Sequence, residues 1–119
     1  FYTNLYAFVD PKIGGTLIIK NNLTINNSEK GTLIISVFNQ KNNQIIAKQN
    51  VLNPKFPQAF VITPKHLVSP QFELKENVYI RAEYLIYNNQ ENKKFKRDET
   101  KNKNIEIGNK DVTIELIPQ

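Results

Sequence analysis

The side chains that usually perform chemistry in proteins are few in this chain and do not cluster. His66 is the only histidine, and cysteine and methionine are absent. Thiolate catalysis, thiolate metal sites and a blue-copper centre, which needs histidine and cysteine, are therefore excluded. The three serines, Ser28, Ser36 and Ser69, do not lie in the sequence context of a nucleophile elbow. We expect a protein without enzymatic activity that folds without a metal ion or cofactor.

Positive charge is concentrated in one polar segment. The formal net charge is +5, and residues 93–103 carry six basic and two acidic side chains. Clustered lysine and arginine attract phosphate groups, but nucleic-acid sites generally interleave such charge with stacking aromatic rings. Phe95 is the only aromatic residue there. We therefore predict a solvated loop or a weak edge strand over residues 88–104, and no nucleic-acid partner.

The clearest signal for an element that could position a site is the alternation over residues 78–87. Side chains of successive strand residues point to opposite faces of a sheet, so a period of two predicts a half-buried strand. The apolar face of this segment consists of Val78, Ile80, Ala82, Tyr84 and Ile86. Residues 32–38 and 45–52 show similar patterns around a short polar loop, which predicts a β-hairpin.

Short strands separated by turns about every ten residues predict an all-β fold. We expect an antiparallel β-sandwich of seven to eight strands with Greek-key connections, immunoglobulin-like or cupredoxin-like but without metal. Residues 13–119 would form this single domain, and residues 1–12 a linker or an extra edge strand. The predicted core contains Ile35, Val37, Phe60, Ile62, Val78, Ile80, Ala82, Val112, Ile114 and Leu116.

Prolines at positions 54, 57 and 64 surround the apolar run at Phe60. Proline lacks a backbone donor and is confined to strand ends or edge strands, so this strand is predicted to lie at a sheet edge. Thr63 followed by Pro64 could open one helical turn. An exposed edge can pair with an extended peptide, although edge prolines more commonly prevent such pairing. The candidate partner-binding residues are Lys55, Phe56, Gln58, Phe60 and Ile62.

A series of motifs resembles a known family. They are the Gly-led strand at Gly15, the strand from Gly31 to Phe38, Ile46-Ala47-Lys48, Phe56-Pro57-x-x-Phe60, Val78-x-Ile80-x-Ala82, Arg97-Asp98 and Asp111-Val112-x-Ile114-x-Leu116. Together they resemble the C-terminal periplasmic domain of the cytochrome c-type biogenesis factor, the apocytochrome c chaperone of the haem-ligation system. The resemblance implies a periplasmic or otherwise extracytoplasmic domain that assists cytochrome c maturation by binding apocytochrome c or another haem-ligation protein.

Two other functions remain open from the residues alone. The domain could be a structural or surface-adhesive spacer, or a carbohydrate-binding accessory module that presents a strip of exposed aromatic rings. Tyr79 and Tyr87, on the polar face of the central strand, are the candidates for such a strip. No apolar run is long enough to cross a bilayer, so we expect no membrane contact by this domain itself, while membrane anchoring of a longer parent protein stays open. The chain starts at Phe1 without an initiator methionine, which predicts a processed or trimmed chain.

Overall fold

The computed structural model describes residues 11–19, 30–87, 92–97 and 104–118. Nearly all regular structure in these residues is β-strand, and one 3-10 turn spans Pro64–His66. The strands are β1 (Ile13–Ile19), β2 (Lys30–Asn39), β3 (Ile45–Leu52), β4 (Gln58–Ile62), β5 (Val78–Tyr87), β6 (Asn92–Arg97) and β7 (Val112–Pro118). The prediction of an all-β protein is confirmed.

The described strands are hydrogen-bonded in the order β3-β2-β5-β6-β7-β1-β4. Two three-stranded halves result, β3-β2-β5 and β7-β1-β4, and β6 pairs with both. The predicted hairpin is present, since β2 and β3 pair antiparallel from Thr32 opposite Leu52 onward. β1 and β7, by contrast, are parallel, with Gly15 opposite Val112.

The sheet curls so that both halves bury one continuous apolar core. Alternate residues of β5 point into it, as the period of two predicted. All ten predicted core residues are confirmed: each is at most 5% exposed. Tyr84 is the largest fully buried side chain, at 1% exposure, and belongs to the same face of β5.

A glycine allows the parallel pair of β1 and β7 to approach closely. A Cβ atom added to Gly15 would overlap the backbone carbonyl oxygen of Val112. Only a residue without a side chain can occupy this position without moving the strands apart. The close contact joins strands that are almost a hundred residues apart in the chain.

The finer prediction of an antiparallel Greek-key sandwich with seven to eight strands is not supported. The described strands form two three-stranded halves linked by β6, and one of the pairings is parallel. The segment expected to be a loop or edge strand also differs, because residues 92–97 form β6 in the middle of the order. The linker or extra edge strand expected at residues 1–12 lies outside the described residues apart from positions 11 and 12.

Candidate functional site: the edge region of β3 and β4

The two strands at the ends of the hydrogen-bonded order, β3 and β4, contact each other through their neighbouring segments. Residues 53–57 link them directly, and after β4 the chain returns to β3. There Leu67 forms an isolated bridge with Ala47, and the Val68 amide donates to the carbonyl oxygen of Ile46 at 2.9 Å. We call residues 45–68 the edge region.

Each of these strands has one hydrogen-bonded strand neighbour in the described part of the chain, β2 for β3 and β1 for β4. No pairing joins β3 to β4 among the described residues. The prediction that the strand around Phe60 lies at a sheet edge is therefore confirmed for the described strands. Alternate backbone groups of an edge strand point away from the sheet and can pair with an added strand.

The link between the two strands is fixed to the rest of the molecule. The Asn53 amide donates to the Gly31 carbonyl oxygen at 2.8 Å, and Asn53 Oδ1 accepts from the Gly31 amide at 3.1 Å. Pro54 is buried, and the Phe56 ring lies 5.1 Å from that of Tyr84 at an interplanar angle of 57°. Phe56, predicted to bind a partner, is thus half-buried and anchors the link to the core.

Side chains of β4 alternate between the core and solvent. Phe60 and Ile62 are 4% and 0% exposed, whereas Val61 is 47% exposed and Ala59 is also exposed. Phe60 and Ile62 were predicted both as core residues and as partner-binding residues. Their burial leaves only their backbone groups available to a partner, so the side chains presented along this strand are those of Ala59 and Val61.

The two polar residues predicted to bind a partner lie at the start of β4. Gln58 Oε1 accepts from the Lys55 amide at 3.1 Å, and Gln58 Nε2 donates to the Ala59 carbonyl oxygen at 2.9 Å. Through these two hydrogen bonds the Gln58 side chain fixes the backbone at the start of β4. Lys55 is exposed and forms no ion pair with a carboxylate of the described residues.

His66 stabilises the turn that follows β4. Thr63 precedes the 3-10 turn in an extended conformation and Pro64 is its first residue, as the sequence predicted. The Thr63 amide donates to His66 Nδ1 at 3.0 Å. The only histidine of the chain therefore has a local structural partner.

The edge region carries charge of one sign. Its residues, 45–68, include Lys48, Lys55 and Lys65 and no aspartate or glutamate. All three lysines are exposed. The sequence contained this signal, but the larger lysine cluster at residues 93–103 obscured it.

A second feature of the edge region could not be predicted from the sequence. Gln49 of β3 is opposite Ile35, whose side chain is fully buried. The Gln49 side chain therefore lies on the core-facing side of β3, at the margin of the core. Its Oε1 atom is buried and finds no hydrogen-bond donor within the described residues. Buried polar atoms in proteins are nearly always paired, with protein groups or with ordered water.

The outer face of β2 and β5 offers little support for a carbohydrate-binding strip. Tyr79 stacks on Phe38 with ring centroids 5.0 Å apart and planes inclined by 9°, and the Arg81 guanidinium lies 5.1 Å from the Phe38 ring centroid. Tyr79 is half-buried by this stack. The side chain of Tyr87 lies outside the described residues.

The residues that the structure describes contain neither a metal-ligand cluster nor a membrane-spanning helix. No group of three or more His, Asp or Glu residues is arranged to hold a metal ion. No helix there is long and apolar enough to cross a membrane. The expected independence from metals and cofactors stays a prediction.

No protein-family model matches the chain, and no curated protein matches it significantly. One solved structure, of an alternative pilotin from the type II secretion system of Vibrio cholerae, is similar in fold. The TM-score is 0.52 at 17% sequence identity, and the match covers 91% of this chain and 96% of the pilotin. At that identity the likeness concerns the fold.

The resemblance to the cytochrome c-type biogenesis factor is wrong, because the structural match is to a pilotin of a secretion system. The motifs that suggested it are apolar strand patterns that many β-sheets share. Its most specific element, Phe56-Pro57-x-x-Phe60, encodes the anchored link and the first buried residue of β4. The expectations of a role in cytochrome c maturation and of apocytochrome c as partner are withdrawn with it.

Proposed function

We propose that this chain is a non-catalytic, extracytoplasmic protein-binding domain that serves a protein-secretion system, and that it binds an extended segment of its partner at the edge region. The fold likeness to a pilotin of the type II secretion system supports the class of protein. The observation that carries the binding mode is that β3 and β4 end the hydrogen-bonded order of the described strands without pairing with each other.

An edge strand binds a peptide by extending the sheet. Backbone hydrogen bonds then supply affinity, and alternate side chains of the peptide supply specificity. The exposed side chains of β4, Ala59 and Val61, are small enough for another backbone to lie alongside. The anchored link keeps the edge in place before the partner arrives, which lowers the ordering cost of binding.

The test is a titration of the isotope-labelled chain with overlapping peptides from the type II secretion proteins of the organism that encodes this chain. Binding is monitored by the chemical shifts of the backbone amides. We expect one peptide to bind saturably, with shifts in residues 45–68, and its scrambled version to cause none. If no peptide binds, or if shifts fall only in residues 93–103, the proposed function is wrong.

A further inference from the structure

We propose that the segment recognised by the edge region is acidic. This inference rests on the proposed function and specifies the chemistry of the partner. It follows from how charge is distributed around the two edge strands.

The three lysines belong to elements at the border where an added strand would lie. Lys48 belongs to β3, Lys55 to the link and Lys65 to the 3-10 turn after β4, and each is exposed. These three elements follow one another along the border of β3 and β4, since the chain after the turn bridges back to Ala47. A strand paired with either edge would therefore lie at the same border as these lysines.

No carboxylate of the same segment neutralises this charge. The first acidic residue after β3 is Glu73, and its carboxylate lies 3.1 Å from the ammonium group of Lys75. Charges at the rim of a binding surface steer an oppositely charged partner and exclude a like-charged one. Aspartate or glutamate at the solvent-facing positions of the bound strand would fit the lysines, while its apolar residues would meet Val61.

The experiment is a selection of random twelve-residue peptides displayed on phage against three immobilised proteins. The first is the wild-type chain and the second carries Lys48→Glu and Lys55→Glu. The third carries Lys41→Glu and Lys75→Glu, which make the same change of net charge outside the edge region. All four lysines are exposed, so the variants are expected to fold normally.

We expect peptides enriched on the wild-type chain to contain more aspartate and glutamate than the starting library. These acidic residues should alternate with β-branched residues. The leading peptide should lose about tenfold in affinity on the edge variant and less than about twofold on the control variant, because rim charges act mainly on nearby partners. Its affinity for the wild-type chain should fall as salt is raised.

Two different outcomes would contradict, respectively, the acidic specificity and the proposed function. Enriched peptides without an acidic excess, or an unchanged affinity for the edge variant, would overturn the acidic specificity and leave the proposed function standing. Failure to enrich any peptide on the wild-type chain above an empty surface would overturn the proposed function itself.

Discussion

Gly31 and Asn53 are joined by two reciprocal hydrogen bonds, one in each direction between the first residues of β2 and the corner that follows β3. Asn53 adopts a φ of 50°, in the left-handed region that asparagine tolerates better than most residues. The pair holds the start of the link, and thereby the separation of the two edge strands.

Replacing Asn53 by alanine should destabilise the fold by about 1–3 kcal/mol. The Gly31 amide loses its side-chain acceptor, and alanine, which has a Cβ atom, must adopt the same positive φ. Asn53→Gly loses the same hydrogen bond but relieves the backbone, so its loss should be smaller. Asn50→Ala, at an exposed position of β3, should change the free energy of unfolding by less than about 0.5 kcal/mol. Denaturant unfolding of the three variants measures this, and equal losses for alanine at positions 53 and 50 would contradict the role of the pair.

The contact of β1 with β7 depends on Gly15. Gly15→Ala should fail to fold or lose more than about 3 kcal/mol, because the added methyl group overlaps the Val112 carbonyl and the two strands must separate. Gly14→Ala is the control: its added Cβ would lie 3.3 Å from the nearest atom, the Phe60 carbonyl oxygen. Thermal unfolding of both proteins should show a much larger loss at position 15, and a Gly15→Ala protein of wild-type stability would show that the parallel pairing is wrong.

Truncation of the central strand tests the core. Ile80 is fully buried, so Ile80→Ala should cost roughly 2–5 kcal/mol. Val61→Ala, at a position that is 47% exposed, should cost less than about 1 kcal/mol. An Ile80→Ala loss below about 1 kcal/mol in denaturant unfolding would mean that this face of β5 does not form the core.

Much of this fold could be predicted from local patterns, and β6 shows where such patterns stop. The alternation in β5 predicted both the strand and its buried face, and the prolines predicted the edge position of β4. The sequence of β6 has four basic residues among six and no alternation. It is a strand because it pairs with β5 on one side and β7 on the other, and such non-local pairing leaves no local signal.

The candidate site was predictable only in part, for a related reason. Sequence reasoning located the edge around Phe60, but it assigned Phe60 and Ile62 to a partner although alternation buries them. β3 was not identified as the opposite edge, because its position depends on the order of all seven described strands. The burial of the Gln49 oxygen, which has no donor among the described residues, is likewise a property of tertiary packing.

Gln49→Leu should leave the free energy of unfolding unchanged or raise it by about 1 kcal/mol, since it removes a buried acceptor that has no donor among the described residues. If a bound partner supplies that donor, the same variant should bind a peptide selected on the wild-type chain more weakly. Thermal unfolding and peptide titration are the two measurements. A clear loss of stability would show that Gln49 already has a partner in the free protein.

Hydrogen–deuterium exchange tests the central claim most directly, because it reports backbone pairing residue by residue. The wild-type chain is compared alone and saturated with a peptide selected on it. If an extended segment binds at the edge region, amides in β4, Gln58–Ile62, and in residues 48–52 of β3 should exchange more slowly, with little change in the hairpin turn at residues 40–43. Protection confined to residues 104–109, or none in β3 and β4, would contradict binding of an extended segment at the edge region.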